Sequence, residues 1–156
     1  FDQSLNFNIA EQILLIWGDI PYISKKTIVE MTNHHLANNN TLTFVTTYSS
    51  NTYTSVIRNL SGDVIDLIES REEAVEITKG ERDIGIFIFK KDPVFKILKS
   101  DVSKKYGKAT GEHSFLYVIK ELIKNNETVD GLNIAKKGED ISLNTELDIQ
   151  ILQEDH

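Results

Sequence analysis

The sequence predicts an α/β sheet protein, and three observations carry that expectation. Short apolar or β-branched runs, bounded by turn residues, alternate with segments of helical periodicity along most of the 156 residues. Apolar residues make up 40% and charged residues 26%, ordinary for one compact domain that buries roughly two thirds of its unfolded surface. One apolar run, Ile13–Trp17, breaks into "GDIP", which presents Asp19 at the carboxyl end of a strand. That is where open α/β sheets bind ligands.

Ile13–Trp17 is apolar throughout, as in a central strand covered on both faces. Ser24 is placed to cap a helix running to about Asn38, with Ile28, Met31 and Leu36 inward. The asparagines of "ANNN" end it, because Asn tolerates the left-handed conformation of a helix stop. Thr41–Thr47 is β-rich, and in "YTSVIRNLSGDVIDLIES" two β-branched runs flank a Gly-containing turn of hairpin length. "REEAVEITKGE" reads as a charged, solvent-facing connection. Asp83–Lys90 is again a buried-strand run, and Gly85 within it marks close approach by a ligand or another backbone. Asp92-Pro93 opens a helix through about Leu98, with Pro at the favoured first position. A polar loop, "SDVSKKYGKATGEHS", leads to an amphipathic helix over Phe115–Lys124, with Leu116, Ile119, Leu122 and Ile123 on one side. Val129–Ala135 reads as a last strand and Asn144–Gln153 as a last helix.

Composition narrows the function classes. Zero cysteines exclude disulfides and Cys-based zinc sites, in keeping with a cytoplasmic location. A formal charge of −7 argues against general affinity for nucleic acid, while a few cations inside a pocket still suit a local anion site. No apolar run is long enough to span a bilayer, so no membrane partner is expected. "GKATGEHS" lacks the Gly-Lys-Ser/Thr order of a phosphate-binding loop, and no Gly-x-Ser-x-Gly nucleophile is present. His34 and His35 are adjacent, so they face different parts of a helix and make a poor metal pair.

Asp19 leads the candidate site residues. Gly18 lets the backbone approach a ligand, Pro21 stiffens the exit, and Mg²⁺ prefers one or two protein oxygens plus substrate phosphates. The competing reading is a turn or cap residue, the commonest use of an Asp after a strand. Asn144 is a second oxygen donor, or an ordinary N-cap. Glu69 would accept bonds from sugar hydroxyls and Arg71 would suit a phosphate, against the usual surface roles of both. Trp17, Phe87 and Phe89 read as core.

Several segments together carry a resemblance. "LLIWGDIPYISKKTI", "YTSVIRNLSGDVIDLIESREEA", "DIGIFIFK", "GEHSFLYVIKELI" and "LNTELDI" resemble, in order and spacing, the sugar-1-phosphate nucleotidyltransferases. The likeness is strongest to the uridylyltransferase domain of the bacterial bifunctional N-acetylglucosamine-1-phosphate enzymes, and it runs from about Ile13 onward. It implies a Rossmann-like α/β domain with a mixed, mainly parallel sheet. It implies an activity that joins a nucleoside triphosphate, UTP, to a sugar 1-phosphate, N-acetylglucosamine 1-phosphate, with Mg²⁺. It assigns Asp19 the metal-binding and catalytic place, with Asn144 completing the metal site. Trp17, Gly18, Thr54, Glu69, Arg71, Asp83 and Gly85 fall at substrate-binding positions, and Glu112 in the Gly-Glu-Tyr-Tyr segment.

The same resemblance implies departures. The family's Gly-rich N-terminal loop and base-reading segments do not occur, so residues 1–156 are expected to form one partial domain, the sugar- and metal-binding portion. Such a chain would be catalytically poor alone and would associate with itself or with a missing N-terminal half. Thr54 stands for a glycine, and Asp83 for an asparagine, which exchanges two donors for a charge. Two rivals follow: a cytidylyltransferase with a different phosphate acceptor, and a non-catalytic ligand-binding homologue.

Overall fold

The computed structural model describes residues 9–50, 52–70, 76–100, 111 and 114–144. Strands β1 (Gln12–Ile16), β2 (Leu42–Ser49), β5 (Gly80–Lys90) and β6 (Val129–Leu132) form a four-stranded sheet in the order β1-β5-β2-β6. Strands β3 (Thr54–Arg58) and β4 (Val64–Glu69) form a separate two-stranded ribbon. The helices are α1 (Lys25–Ala37), α2 (Lys91–Leu98) and α3 (Leu116–Lys124). The expected α/β architecture with a mixed sheet is what the chain adopts. Among the described strands, parallel pairing is confined to β2 with β6, whereas β5 runs antiparallel to both β1 and β2.

The central strand is β5, and the reading of Ile13–Trp17 as doubly covered is corrected here. From Asp83 to Phe89 every residue of β5 is buried, and alternate side chains feed two cores. Phe87 and Phe89 join Leu42, Phe44, Val94, Leu116 and Ile119 on one face. Ile84, Ile86 and Ile88 join Met31 and Val45 on the other. Strand β1 pairs only with β5 among the described residues, so Ile13 is buried while Leu14 and Ile16 stay 44% and 40% exposed. An apolar run marks a strand that can be covered on both faces. It does not say that the chain supplies both covers.

Local chemistry sets the element ends. The Ser24 hydroxyl accepts from the Thr27 amide at 3.2 Å, capping α1 as expected, and Asn39 takes the left-handed φ of +51° just past its end. The fully buried stripe of α1 is Thr27, Met31 and His35; Ile28 packs half-buried against the same core as expected, whereas Leu36, expected inward, is 57% exposed. Polar residues can face inward because each has a partner: Thr27 donates to Glu139, and His35 meets Thr43 and Gln12. In the β3–β4 turn the Asn59 side-chain Oδ1 accepts from the Ser61 and Asp63 amides at 2.9 Å each, and Gly62 supplies a φ of +93°. Helix α2 starts at Lys91, so Pro93 lies third in the first turn rather than first, still where an amide has no intrahelical acceptor. Helix α3 buries Leu116, Val118, Ile119 and Leu122. Strand β6 stops at Leu132, short of the expected Ala135, and the expected last helix lies outside the described residues apart from Asn144.

Candidate active site

Two loops meet beyond the end of β1. One follows β1 and carries Trp17, Gly18 and Asp19; the other follows β6 and runs to Asn144. Glu139, 2% exposed, fastens the second loop to the start of α1. Its carboxylate accepts from the Ser24 amide (2.9 Å), the Thr27 hydroxyl (2.8 Å) and the Lys136 amide (2.7 Å). Burial works against that charge, but the bonds from Lys136, Ser24 and Thr27 outweigh it and hold the carboxyl below its ordinary range. The positive end of the α1 dipole acts in the same direction.

The clasp brings Asp19 and Asn144 together. The Leu143 amide donates to the Asp19 carbonyl at 2.8 Å. The Ser142 hydroxyl donates to Asp19 Oδ2 at 2.5 Å and accepts from Asn144 Nδ2 at 2.7 Å. Asn144 thus spends its amide nitrogen on Ser142, and Oδ1 is the atom with which it would meet a cation. Two hard oxygen donors from two loops suit Mg²⁺, which needs few protein ligands when substrate phosphates supply the rest. Among the described residues no three His, Cys, Asp or Glu side chains cluster as a metal cage, so a cation here would depend on substrate oxygens.

Beside this pair opens a cavity of about 410 Å³ whose wall includes Trp17, Tyr53, Arg82, Asp83 and Asp140 as well as Asp19 and Asn144. Asp83 is 3% exposed. Its carboxylate accepts from the Thr54 hydroxyl at 3.1 Å and the Gly85 amide at 3.3 Å. Burial outweighs those bonds and pushes this carboxyl above its ordinary range. Arg82 turns to Asp140, with Nη2 at 3.0 Å from its carboxylate. Gly85 has a φ of +79°, and a Cβ there would lie 2.8 Å from the Trp17 indole. The close approach read from this glycine is therefore made by the Trp17 ring.

The positions named from sequence separate into three groups. Trp17, Asp19, Asp83 and Asn144 share the cavity wall, with Thr54 and Gly85 directly behind it. Trp17 is accordingly half-buried at the site, whereas Phe87 and Phe89 are core. Gly18 is exposed on the turn, with nothing within 4 Å of where a Cβ would stand. Glu69 pairs with Thr54 across the ribbon and receives the Ser114 hydroxyl at 2.8 Å, outside the cavity wall. Arg71 and Glu112 lie outside the described residues. Sequence reasoning missed Arg82, Glu139, Asp140 and Ser142. Ser142 had one signal, a hydroxyl two residues before Asn144; the others become legible only once the two loops meet.

No protein-family model matches the chain. In sequence it is similar to bifunctional protein GlmU of Streptococcus gordonii, 26% identical over 140 residues, covering 88% of this chain and 30% of that protein. GlmU of Thermosipho africanus is 29% identical over 103 residues, 62% of this chain and 22% of that protein. The chain therefore spans less than a third of the curated relatives it matches. In fold it is similar to 4-diphosphocytidyl-2C-methyl-D-erythritol synthase from Anaerococcus prevotii (TM-score 0.57, 17% identity, 91% of this chain and 57% of that one). It is also similar to UDP-glucose pyrophosphorylase in complex with UDP-glucose (TM-score 0.62, 13% identity, 96% of this chain and 59% of that one). Sequence and fold point the same way: the chain is similar to part of GlmU in sequence, at 25–29% identity, and to part of the nucleotidyltransferase fold in structure.

Proposed function

We propose that this chain is the metal- and sugar-binding part of a nucleotidyltransferase that joins a nucleoside triphosphate to a sugar 1-phosphate and releases pyrophosphate. The observation that carries the reading is the Asp19–Ser142–Asn144 chain of hydrogen bonds at the mouth of a polar cavity. In this reaction a phosphate oxygen of the sugar 1-phosphate attacks the α-phosphorus in line. A new P–O bond forms, the bond from the α-phosphorus to its bridging oxygen breaks, and the electron pair leaves on pyrophosphate. No protein nucleophile is required, so positioning and charge neutralisation carry the catalysis. Mg²⁺, when bound, supplies that neutralisation, and Asp19 and Asn144 are the residues that would hold it. Ser142 orients both, Glu139 holds their loop, and Trp17 and Tyr53 offer flat apolar surface to a sugar ring. The likeness to GlmU supports UTP and N-acetylglucosamine 1-phosphate as the reference pair.

The test is calorimetric titration with UDP-N-acetylglucosamine, with and without Mg²⁺, on the protein and on Asp19→Ala. Binding that strengthens with Mg²⁺, and weakens in the variant by about tenfold or more, supports the reading. Binding that ignores both Mg²⁺ and Asp19 sinks it. The fold likeness to a diphosphocytidyl-methylerythritol synthase favours one second reading, a cytidylyltransferase with another phosphate acceptor. Pyrophosphate release across a panel of triphosphates and acceptors separates the two.

A further inference from the structure

The charges of the cavity do not balance. Asp19, Asp83 and Asp140 face it with Arg82 as the basic member of the wall. Arg82 is committed to Asp140, through its carboxylate at 3.0 Å and its carbonyl at 3.1 Å. Toward Asp83 it reaches the backbone carbonyl, at 3.3 Å, rather than the side chain. The Asp83 carboxylate therefore accepts long, neutral hydrogen bonds from Thr54 and Gly85, one to each oxygen, and the Arg82 charge acts on it through space without a direct bond to the side chain. Two carboxylate oxygens have roughly four acceptor positions, so acceptor capacity remains beyond the bonds from Thr54 and Gly85, in a residue that lines the cavity. Burying a carboxylate without a cation is costly, and a bound cation would relieve that cost directly. Two aromatic rings, Trp17 and Tyr53, line the same wall, and ring faces attract cations.

We propose that Asp83 makes this cavity select a ligand carrying a free ammonium group, an amino sugar phosphate whose amine is unacetylated. The proposal rests on the sugar-phosphate reading above and changes it at one place, the substituent that meets Asp83. An acetamide carbonyl set against this carboxylate would put acceptor against acceptor. A hydroxyl would donate one hydrogen bond and leave the charge uncompensated. An ammonium donates and compensates at once, the stronger kind of hydrogen bond. Asp19 and Asn144 keep their place beside the phosphate, so the two anionic centres divide the ligand between its phosphate end and its amine end.

The experiment compares three probes with Mg²⁺ at neutral pH: glucosamine 1-phosphate, N-acetylglucosamine 1-phosphate and glucose 1-phosphate. Each is titrated calorimetrically into the protein and into Asp83→Asn, a near-isosteric change that removes a buried charge and leaves the fold intact. The expected result is at least about tenfold tighter binding of the free amine than of the other two, the scale of one charge-assisted hydrogen bond. In Asp83→Asn that preference disappears, and the free amine binds no tighter than the other two. Equal binding of the three probes, or a preference that survives in Asp83→Asn, overturns the inference while leaving the sugar-phosphate reading in place. Failure of all three to bind a protein that melts cooperatively overturns that reading, and this inference with it.

Discussion

At the scale of single residues, two buried carboxyls near the site end up shifted in opposite directions although burial pushes both upward. Glu139 is met by donors from three residues and its carboxyl is held below the ordinary range; Asp83, with long bonds from Thr54 and Gly85, has its carboxyl held above it. The difference has a pH signature. A carboxyl with a raised folded pKa favours the folded state below the ordinary carboxyl range, and that contribution is lost as pH rises through the raised value. Asp83→Asn should therefore melt near the parent at acidic pH and above it at neutral pH, by about 2–4 °C for each kcal/mol removed. Calorimetric melts across pH check this, and a variant that melts lower at neutral pH would show that the charge is compensated. Glu81 resembles Glu139: burial opposes its charge, but Arg58 at 2.6 and 2.7 Å and Thr46 at 2.5 Å keep the carboxyl low. That group ties the ribbon to β5 and β2. Arg58→Ala would strand a buried charge, at a cost of about 3–5 kcal/mol.

At the scale of elements, the site is a junction of loops, and Glu139 is its fastening. Helix α1 presents its first amides and the Thr27 hydroxyl, and Glu139 brings the Ser142–Asn144 segment against Asp19. Glu139→Gln puts an amide donor where only acceptors fit, so about 1–3 kcal/mol of stability should be lost. Because the Glu139 carboxyl is held low, its contribution is present above the ordinary carboxyl range and disappears as pH falls through the depressed value. The loss in Glu139→Gln should accordingly be largest near neutral pH and shrink in acid. Mg²⁺-dependent ligand binding should weaken in parallel, since Glu139 acts on Asp19 and Asn144 only through the loop. Binding unchanged at a lowered melting temperature would make Glu139 structural and nothing more. Helix α1 also shows where pattern reading fails. Met31 was legible as an inward residue, but Thr27 and His35 were not, because their burial depends on partners contributed by the 139 loop, β1 and β2.

At the scale of the whole molecule, the β1 edge of the sheet has no further strand among the described residues. Leu14 and Ile16 project from the face that α1 covers only farther in. Open edges with apolar side chains template further pairing. The protein should therefore self-associate with rising concentration, and Leu14→Lys with Ile16→Lys should shift it toward monomer in sedimentation velocity. A parent that stays monomeric at high concentration would mean that this edge is satisfied in some other way.

Much of this protein is legible in the order of its residues, because local rules act on local segments. The Ser24 cap, the Asn stop of α1, the Gly62 turn between β3 and β4, the apolar run of β5 and the α3 stripe follow from propensity, capping and period. Asp19 and Asn144 were reachable as oxygen donors at segment ends, and the ordered motifs carried the resemblance to the sugar-1-phosphate nucleotidyltransferases. The tertiary structure decided which strand is central, since burial depends on what the rest of the chain brings to each face. It also decided what the site is made of. Ser142, Glu139 and the Arg82–Asp140 pair acquire roles only where two loops distant in sequence meet. A lone aspartate in a strand, Asp83, becomes a buried acceptor in the cavity wall only when Thr54 of the ribbon and the turn at Gly85 close around it.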